Sequence, residues 1–212
     1  MNILVTAGPT REAIDPVRFL SNRSSGRMGF AVAAAAAEAG HAVRLVAGPV
    51  ALETPAGVER IDVVSAEEMR AAVTEHVAWC DALIMAAAVA DWRPASVSDQ
   101  KVKKVEGPMR LELERTTDIL ISVKPLKGPR IYVGFAAETG DPVPEATRKV
   151  TAKGLDMIVA NDVSRPDAGF EVATNAVTFI ESGGTMRHID TAAKTEIAAA
   201  IIQWLESQSR QA

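Results

Sequence analysis

Short apolar runs that alternate with helical patterns are the feature of this sequence that most constrains its fold. The alternation is typical of a mostly parallel β-sheet covered by helices, because a strand buried on both faces is almost continuously apolar and a helix carries the chain to the next strand. The runs that predict strands are residues 3–6, 42–46, 59–63, 82–86, 130–135 and 157–160. The sequence therefore predicts an α/β fold built on a mostly parallel sheet.

Helical patterns occupy the intervals between these runs. We predict helices over about residues 26–39, after Ser65, over residues 143–153 and from about residue 190 onward. Ser65 and Glu68 have the spacing of a capping box, in which two side chains satisfy N–H groups at the helix start. Gly40 and Gly154 each follow a helical pattern, and glycine suits the left-handed conformation that ends a helix.

Two segments depart from the alternation. Residues 91–114 form a long connection with two prolines, a "KVKK" cluster and the alternating "MRLELER" run. Connections of that length are uncommon unless they have a function, so we predict a flap over residues 91–114. The runs "NAVTFI" and "MRHI" flank "ESGGT", which predicts a C-terminal β-hairpin that turns at Gly183 and Gly184. The length suits one α/β domain, so residues 1–212 are expected to form a single domain.

Composition excludes several classes of function. The formal net charge of −4 argues against broad electrostatic binding of nucleic acid. The single cysteine, Cys80, excludes an internal disulfide and a thiolate-rich metal site. No signal peptide is recognisable, and no apolar run reaches the roughly 18 residues that a membrane-spanning helix needs. We therefore expect a cytoplasmic protein that binds neither nucleic acid nor membranes.

Small residues are concentrated where the predicted strands end. The five junctions read "TAGPT", "VAGPV", "AAAVAD", "GFAAET" and "ANDVS". Ligands of open α/β sheets bind outside the carboxyl ends of the strands, and glycine and alanine leave main-chain groups there open to close approach. Small residues also allow a helix to pack closely on a strand, but five such junctions together favour a ligand-binding face.

The segment between the first strand and the first helix, "TAGPTREAIDPVRFLSNRSSGRMG", is much longer than a connection needs to be. It ends with Ser24, Ser25 and Gly26 at the positive end of a helix dipole, where phosphate oxygens bind well, and Arg23 and Arg27 add positive charge. The alternative is an ordinary helix start with Ser24 or Ser25 as the N-cap. The length of the segment favours anion binding.

Two common phosphate-binding motifs are missing from the sequence. G-x-G-x-x-G does not follow the first strand, and the second strand ends in Ala47 and Gly48 rather than in the acidic residue that binds a ribose. G-x-x-x-x-G-K-[ST] is not found either. Both a dinucleotide-dependent dehydrogenase and a P-loop phosphatase are therefore disfavoured.

Several charged residues are candidates for a nucleotide site. Asp91 follows the fourth strand, where a carboxylate either binds a ribose hydroxyl or a magnesium ion, or caps a turn. Lys101 belongs to the flap cluster, and a mobile lysine that closes over a triphosphate stabilises phosphoryl charge. Lys149 and Lys153 share a helix face, and the alternative for them is that they complement the negative end of the helix.

Five separated motifs resemble one known family. "ILVTAGPTREAIDPVRFLSNRSSGRMG", "AAAVADWR", the "KVKK" flap, "VGFAAET" and "ANDVS" are similar, in order and spacing, to the bacterial phosphopantothenoylcysteine synthetases, the CTP-dependent phosphopantothenate–cysteine ligases of coenzyme A biosynthesis. The resemblance covers nearly the whole chain. It implies a Rossmann-like three-layer fold, a homodimer, and a need for CTP with Mg²⁺ or Mn²⁺.

The resemblance also implies a two-step reaction. The carboxylate of 4′-phosphopantothenate attacks the α-phosphorus of CTP, which gives an acyl-cytidylate and pyrophosphate, and the amine of L-cysteine then displaces CMP. Many bacterial members carry this domain behind a flavin-dependent decarboxylase; a free-standing synthetase and a domain of a longer protein both remain open, and no flavin is expected in this chain. A site for such a reaction has to position reactants and neutralise charge.

Matched position by position, the resemblance and the loop pattern together assign roles to residues of this chain. Asn22, which handles the acyl-cytidylate, and Lys101, the flap lysine, are expected to be catalytic. The expected nucleotide-binding residues are Met85, Ala86, Ala87, Asp91, Lys101, Asp118, Ile119, Phe135, Lys149 and Lys153. The expected phosphate- and substrate-binding residues are Gly8, Arg18, Asn22, Ser24, Ser25 and Gly26. Asp91 is also a candidate metal ligand, acting mainly through the nucleotide phosphates.

Two other classes of function remain open. One is a Rossmann-type NAD(P)-dependent oxidoreductase, for which the missing dinucleotide motif predicts no binding of NADH or NADPH. The other is a non-catalytic nucleotide sensor, which would bind CTP without turning it over.

Overall fold

The computed structural model describes residues 1–104, 106–162 and 174–209. Its strands are β1 (Asn2–Ala7), β2 (Arg11–Ala13), β3 (Phe19–Ser21), β4 (Ala42–Ala47), β5 (Val58–Asp62), β6 (Ala82–Met85), β7 (Trp92–Pro94), β8 (Leu113–Arg115), β9 (Ile131–Glu138), β10 (Met157–Asp162), β11 (Thr174–Glu181) and β12 (Met186–Ala193). Its helices are α1 (Arg27–Glu38), α2 (Ala66–His76), α3 (Ile119–Val123), α4 (Val143–Lys153) and α5 (Lys194–Ser209).

The central sheet has the strand order β12-β11-β10-β9-β6-β1-β4-β5. Neighbouring strands from β5 to β10 pair in parallel, whereas β11 is antiparallel to both β10 and β12. The chain leaves β1 first toward β4 and then returns to β6 on the other side, so the strand order reverses between β1 and β6. This arrangement confirms the predicted Rossmann-like α/β fold, the mostly parallel sheet and the C-terminal hairpin.

Two apolar layers cover the faces of the sheet. Successive side chains of a strand point to opposite faces, so Ile3 and Val5 pack with α1 and α5 on one side, while Leu4 packs with α2, α3 and α4 on the other. Tyr132 is the largest fully buried side chain of the second layer, and its hydroxyl donates to the carbonyl of Val123 at 3.2 Å. The two layers confirm the predicted three-layer architecture.

Helix boundaries follow the predictions with two corrections. Helix α5 begins at Lys194 rather than near residue 190, because β12 continues to Ala193 as the second arm of the hairpin. Neither Ser24 nor Ser25 is the N-cap of α1; the N-cap is Gly26, with φ of 77° and no side-chain capping bond. The capping box at Ser65 is confirmed, since its hydroxyl accepts from the N–H of Glu68 at 3.2 Å.

The short strands of the structure were not predicted from the sequence. Strands β2 and β3 form an antiparallel ribbon inside the long segment after β1, and β7 and β8 form a second ribbon at the base of the flap. These strands have three residues each, which is too short for an alternating pattern to stand out. The two ribbons lie beside each other through contacts between β2 and β7.

Within the described ranges, no helix is long and apolar enough to cross a membrane.

Candidate active site

A cavity of about 450 Å³ lies at the carboxyl ends of β6, β9 and β10. The start of α1, the root of the flap and one face of α4 complete its wall. The cavity therefore occupies the edge where the strand order reverses, which is where open α/β sheets bind ligands.

The floor of the cavity is the main chain that follows β6, and two buried threonines hold it in place. The hydroxyl of Thr6 accepts from the N–H of Ala87 at 3.2 Å, and the hydroxyl of Thr10 accepts from the N–H of Ala90 at 2.9 Å. Both threonines are fully buried. A buried hydrogen bond fixes main-chain position closely, so the groups of Met85 and Ala87 are presented to a ligand in a defined arrangement.

Asn22 lies on the same wall. Its side-chain amide donates to the carbonyl of Ala88 at 2.9 Å, and that carbonyl also accepts from the N–H of Thr10 at 3.3 Å. The side chain is otherwise exposed toward the cavity that it lines. Because the amide nitrogen is held by the protein, the amide oxygen and the remaining N–H are left to interact with a ligand.

Helix α1 begins directly at the cavity. A Cβ atom added at Gly29 would lie 2.5 Å from the Cβ of Ala7 and 2.8 Å from the carbonyl oxygen of Thr6, so only glycine allows the helix to start this close to β1. The first turn of α1 contains no acidic residue. Its N–H groups and the positive end of its dipole therefore face the cavity without an acidic side chain from that turn to offset them.

Two lysines of α4 reach the cavity from the opposite side, and each is paired with a carboxylate. Lys149 forms an ion pair with Glu138, and Lys153 lies 2.8 Å from a carboxylate oxygen of Asp118. The other carboxylate oxygen of Asp118 accepts from the N–H of Ile121 at 3.1 Å and caps α3. Asp118 thus links the start of α3 to the end of α4 across the cavity wall.

The carbonyl groups at the C-terminal end of α4 accept hydrogen bonds from lysines other than Lys153. Lys124 donates to the carbonyl of Ala152 at 2.9 Å, and Lys127 donates to the carbonyl of Gly154 at 2.8 Å. Lys124 and Lys127 therefore interact with the negative end of α4, which was the alternative role for Lys153. Lys153 is directed to the cavity instead.

Asp91 lines the cavity at the root of the flap, where its carbonyl accepts from the N–H of Thr116 at 3.0 Å. Its carboxylate is exposed. No group of three or more metal-binding side chains occurs among residues 1–104, 106–162 and 174–209. A divalent cation bound here would therefore take most of its ligands from phosphate oxygens and water, with Asp91 as a single protein carboxylate.

The structure brings most of the predicted site residues together. The cavity is lined by Asn22, Ser24, Ser25, Gly26, Met85, Ala86, Ala87, Asp91, Asp118, Ile119, Phe135, Lys149 and Lys153. Gly8, Arg18 and Lys101 lie outside this lining. Gly8 packs where a Cβ atom would meet the carbonyl of Gly48 at 3.1 Å, so it allows two loops to approach each other rather than facing the cavity.

Arg18 and Lys101 belong to the contact between the flap and the β2–β3 ribbon. The guanidinium of Arg18 pairs with the buried carboxylate of Asp15 and donates to the carbonyl of Val102 at 3.0 Å. Lys101, the residue before Val102, is exposed. The "ANDVS" junction is only partly described, because Val163 and Ser164 lie outside the described residues.

Five polar residues of the cavity wall were not predicted from the sequence, namely Thr116, Thr117, Asn161, Asn175 and Lys194. Asn161 stands within the quoted "ANDVS" junction, so the signal for it was present. Asn175 and Lys194 come from the hairpin and the start of α5, and only the pairing of β11 with β10 brings them to this edge. Lys194 is 6% exposed, and burial together with the nearby charge of Arg27 lowers its pKa from the ordinary value of 10.5.

The strand order and the position of the cavity define this chain as a Rossmann-like α/β protein with its ligand site at the carboxyl edge of the sheet. It belongs to the family of DNA/pantothenate metabolism flavoprotein C-terminal domains, whose model matches residues 1–208. The bifunctional coenzyme A biosynthesis protein CoaBC of Bacillus subtilis is 47% identical over 211 residues, which are 99% of this chain and 52% of that protein. The CoaBC protein of Vibrio cholerae is 46% identical over 209 residues, or 97% of this chain and 52% of that protein.

Solved structures agree with this assignment. The crystal structure of the C-terminal domain of CoaBC superposes with a TM-score of 0.85 at 40% identity, and covers 100% of this chain and 96% of that chain. The DNA/pantothenate metabolism flavoprotein from Streptococcus pneumoniae superposes with a TM-score of 0.86 at 23% identity, over 98% of this chain and 99% of that one, which is a likeness of fold. The chain spans about half the length of the curated relatives that it matches.

Proposed function

We propose that this chain is a phosphopantothenate–cysteine ligase that activates 4′-phosphopantothenate with CTP and joins it to L-cysteine. The observation that carries the proposal is the convergence, in one cavity of a member of this family, of a rigid main-chain floor, the amide of Asn22 and the cations of α4. The bifunctional relatives named above act in coenzyme A biosynthesis, as their names state.

The two halves of the cavity suit the two parts of an acyl-cytidylate. The fixed main chain from Met85 to Ala87 offers hydrogen-bonding groups of the kind that read the edge of a base, while Lys149 and Lys153 supply positive charge for phosphates. Asn22 lies between them, where its amide can both donate to and accept from the mixed anhydride.

The chemistry requires no nucleophile from the protein. A carboxylate oxygen of phosphopantothenate forms a bond to the α-phosphorus of CTP, and the bond from that phosphorus to the bridging oxygen breaks with release of pyrophosphate. The cysteine amine then attacks the acyl carbon, CMP leaves, and the amine loses a proton. The contribution of the protein is to orient the reactants and to stabilise charge that moves onto phosphate oxygens.

A divalent cation, Mg²⁺ or Mn²⁺, is part of the proposal as a partner of the nucleotide. The protein residues fit a cation that is bound mainly by the nucleotide phosphates, because Asp91 supplies a single carboxylate ligand at the edge of the cavity. When bound, the cation would neutralise phosphate charge. In this proposal, Lys149, Lys153 and the N–H groups at the start of α1 bind the nucleotide.

One assay tests the proposal. Purified protein is expected to release pyrophosphate from CTP only when phosphopantothenate is present, and to form the amide only when L-cysteine is added as well. A protein that turns over no CTP under these conditions is not this ligase. The same assay with ATP in place of CTP reports the nucleotide preference.

A nucleotide sensor predicts a different response to one substitution. Lys101→Gln in a ligase should lower the rate of pyrophosphate release much more than the affinity for CTP, since the flap lysine lies outside the cavity and acts when phosphoryl charge develops. A sensor has only affinity to lose. Binding of NADH or NADPH in a fluorescence titration would instead support the oxidoreductase alternative.

We further propose that the chain forms one domain over residues 1–212 and assembles as a homodimer through the two ribbons beside the cavity. The bifunctional names of the relatives, and their greater length, support the proposal that a flavin-dependent decarboxylase domain can be linked to such a chain.

A further inference from the structure

The two lysines of α4 that line the cavity are each opposed by a carboxylate from another element. Lys149 lies 2.5 Å from a carboxylate oxygen of Glu138, at the end of β9, and Lys153 lies 2.8 Å from one of Asp118, before α3. The lysines are four residues apart on one helix face, so their charges repel each other. The two carboxylates offset this repulsion and balance the two positive charges.

The two carboxylates differ in what else they do. Asp118 lines the cavity and also caps α3, because it accepts from the N–H of Ile121 at 3.1 Å. Glu138 is not among the residues that line the cavity. In the part of the chain that the structure describes, Lys149 is the only ion-pair partner of Glu138. The side chain of Glu138 therefore acts on Lys149 without holding another element in place.

A second carboxylate near Lys149 is occupied elsewhere. Glu145 lies 3.6 Å from the ammonium of Lys149, but it accepts two hydrogen bonds from the guanidinium of Arg148, at 2.9 and 2.7 Å. The hydrogen bonds from Arg148, with the nearby charge of Lys149, lower the pKa of Glu145 to about 2. Glu138 is therefore the main counter-charge of Lys149, and Glu145 is a carboxylate at a similar place with a different partner.

A counter-charge on a lysine that faces a ligand site lowers the affinity of that site for anions. The carboxylate cancels part of the attraction between the ammonium and a phosphate, and a phosphate that takes the lysine has to replace an existing ion pair. Such a limit is useful where the product is itself a highly charged anion, because release of product sets the turnover of many enzymes. Pyrophosphate is a product of this kind.

We propose that Glu138 is a positioning residue that acts through Lys149, and that it partly neutralises this lysine so that the cavity releases pyrophosphate. The proposal rests on the proposed function, which assigns Lys149 to the nucleotide phosphates. An ion pair that only holds β9 to α4 would contribute stability and would leave the affinity for anions unchanged.

Calorimetric titration of the full chain with inorganic pyrophosphate tests the proposal without turnover. Glu138→Gln removes the charge and retains an oxygen that accepts from the ammonium of Lys149, so the lysine keeps its place. We expect the variant to bind pyrophosphate about 3- to 10-fold more tightly than the wild type, the effect of losing one partly exposed ion pair. In the pyrophosphate-release assay, the inhibition constant of added pyrophosphate should fall by the same factor.

Two controls separate this effect from a general change of charge. Glu145→Gln removes the same charge close to the same ammonium, yet it should change the affinity for pyrophosphate less than twofold, because Glu145 is paired with Arg148. Lys149→Met should weaken pyrophosphate binding about tenfold. In that background, Glu138→Gln should have no further effect, since a residue that acts through Lys149 has nothing left to act on.

The other outcomes overturn the proposal or separate it from the ligase. If Glu138→Gln leaves the affinity for pyrophosphate within twofold of the wild type, or weakens it, Glu138 does not limit phosphate binding. Tightening that persists in the Lys149→Met background would show that the effect does not pass through this lysine. A Lys149→Met variant that binds pyrophosphate as the wild type does would also refute the proposal, while CTP turnover would still support the ligase. Conversely, tighter binding that requires Lys149, in a protein that turns over no CTP, would refute the ligase alone.

Discussion

The carboxylate of Asp15 accepts a hydrogen bond from the main-chain N–H of Val102 at 3.1 Å, and so connects the loop after β2 to the flap. Arg18 completes the connection, because it pairs with the same carboxylate and donates to the carbonyl of Val102 at 3.0 Å. Ser98 adds a third bond to this contact, from its N–H to the carbonyl of Ile14 at 3.1 Å. Both main-chain groups of the residue next to Lys101 are therefore held by one ion pair, whose carboxylate is buried.

Asp15→Asn should release the flap. Asparagine retains the shape of the side chain but loses the charge that holds Arg18 and Val102, so hydrogen exchange of the N–H groups around residues 98–104 should become about tenfold faster. Because Lys101 is then poorly placed, pyrophosphate release should slow while the affinity for CTP changes little. Exchange measured by mass spectrometry and the pyrophosphate assay check the two effects.

Glu67→Gln is the matched control for that substitution. Glu67 and Arg70 also form an acid–arginine pair three residues apart, on the exposed face of α2. Its loss should leave both flap exchange and pyrophosphate release unchanged. Equal effects of the two substitutions would show that the Asp15 contact does not position the flap.

The contact between Asp15 and the flap should also respond to acid. The hydrogen bond from Arg18, with further bonds from main-chain N–H groups, holds the pKa of Asp15 well below its ordinary value of 3.8. A carboxyl whose pKa is lowered by folding contributes stability that is present above pH 3.8 and is lost as the pH falls through its folded value. Flap exchange, corrected for intrinsic rates, should therefore stay slow down to about pH 4 and accelerate below it, and in Asp15→Asn this acceleration should be missing.

The parts of the fold that could be predicted from the sequence are those in which apolar runs alternate with helical patterns. Strands such as β1 and β6 are buried on both faces and read as apolar runs, and small residues at their ends indicated the ligand edge. The short strands β2, β3, β7 and β8 could not be found this way, because they exist through pairing with each other rather than through a core. The start of α5 was placed too early for a related reason, since β12 is a mostly exposed hairpin arm that lacks an apolar pattern.

Some residues of the candidate site could also be predicted from the sequence, and others could not. Residues beside strand ends, such as Asn22 and Asp91, were predicted because the motif and the topology agree. Lys194 was missed, since its place in the cavity depends on a hairpin that returns the chain to the carboxyl edge after 30 residues without a motif. Arg18 was expected to contact substrate, and its observed partners are Asp15 and the flap, which no local pattern indicates.

Asn22→Asp should separate binding from chemistry. Aspartate cannot donate to the carbonyl of Ala88 or to the mixed anhydride, and its charge would repel that carbonyl. We expect CTP to bind within about threefold of the wild type, while acyl-cytidylate either fails to form or accumulates, as quenched-flow analysis of the products would show. Asn2→Asp is the matched control, since Asn2 donates to the carbonyl of Trp79 at 3.0 Å at the opposite end of β1. It should cost about 1 kcal/mol of stability and leave the chemistry unchanged.

Lys153→Gln and Lys124→Gln should have opposite consequences, although both lysines lie near the end of α4. Lys153 faces the cavity and pairs with Asp118, so its loss should weaken CTP binding by about tenfold. Lys124 donates to the carbonyl of Ala152, so its loss should lower the free energy of unfolding by a few tenths of a kcal/mol without changing CTP affinity. Calorimetric titration and urea unfolding measure the two quantities. A larger effect of Lys124→Gln on CTP would contradict the assignment of Lys153.

The two ribbons beside the cavity expose apolar side chains, and we expect these side chains to form the dimer interface. Phe19, Trp92 and Leu113 are 47%, 46% and 41% exposed on these two neighbouring ribbons, and exposed apolar side chains grouped in one region mark sites of protein association. Phe19→Glu should therefore convert a dimer of twice 22.4 kDa to a monomer at micromolar concentration, as light scattering after gel filtration would measure. Met186→Glu is the matched control, because Met186 is 51% exposed on β12, away from the ribbons, and its replacement should leave the mass unchanged. A wild type that elutes as a monomer, or a dimer that Phe19→Glu leaves intact, would contradict the interface.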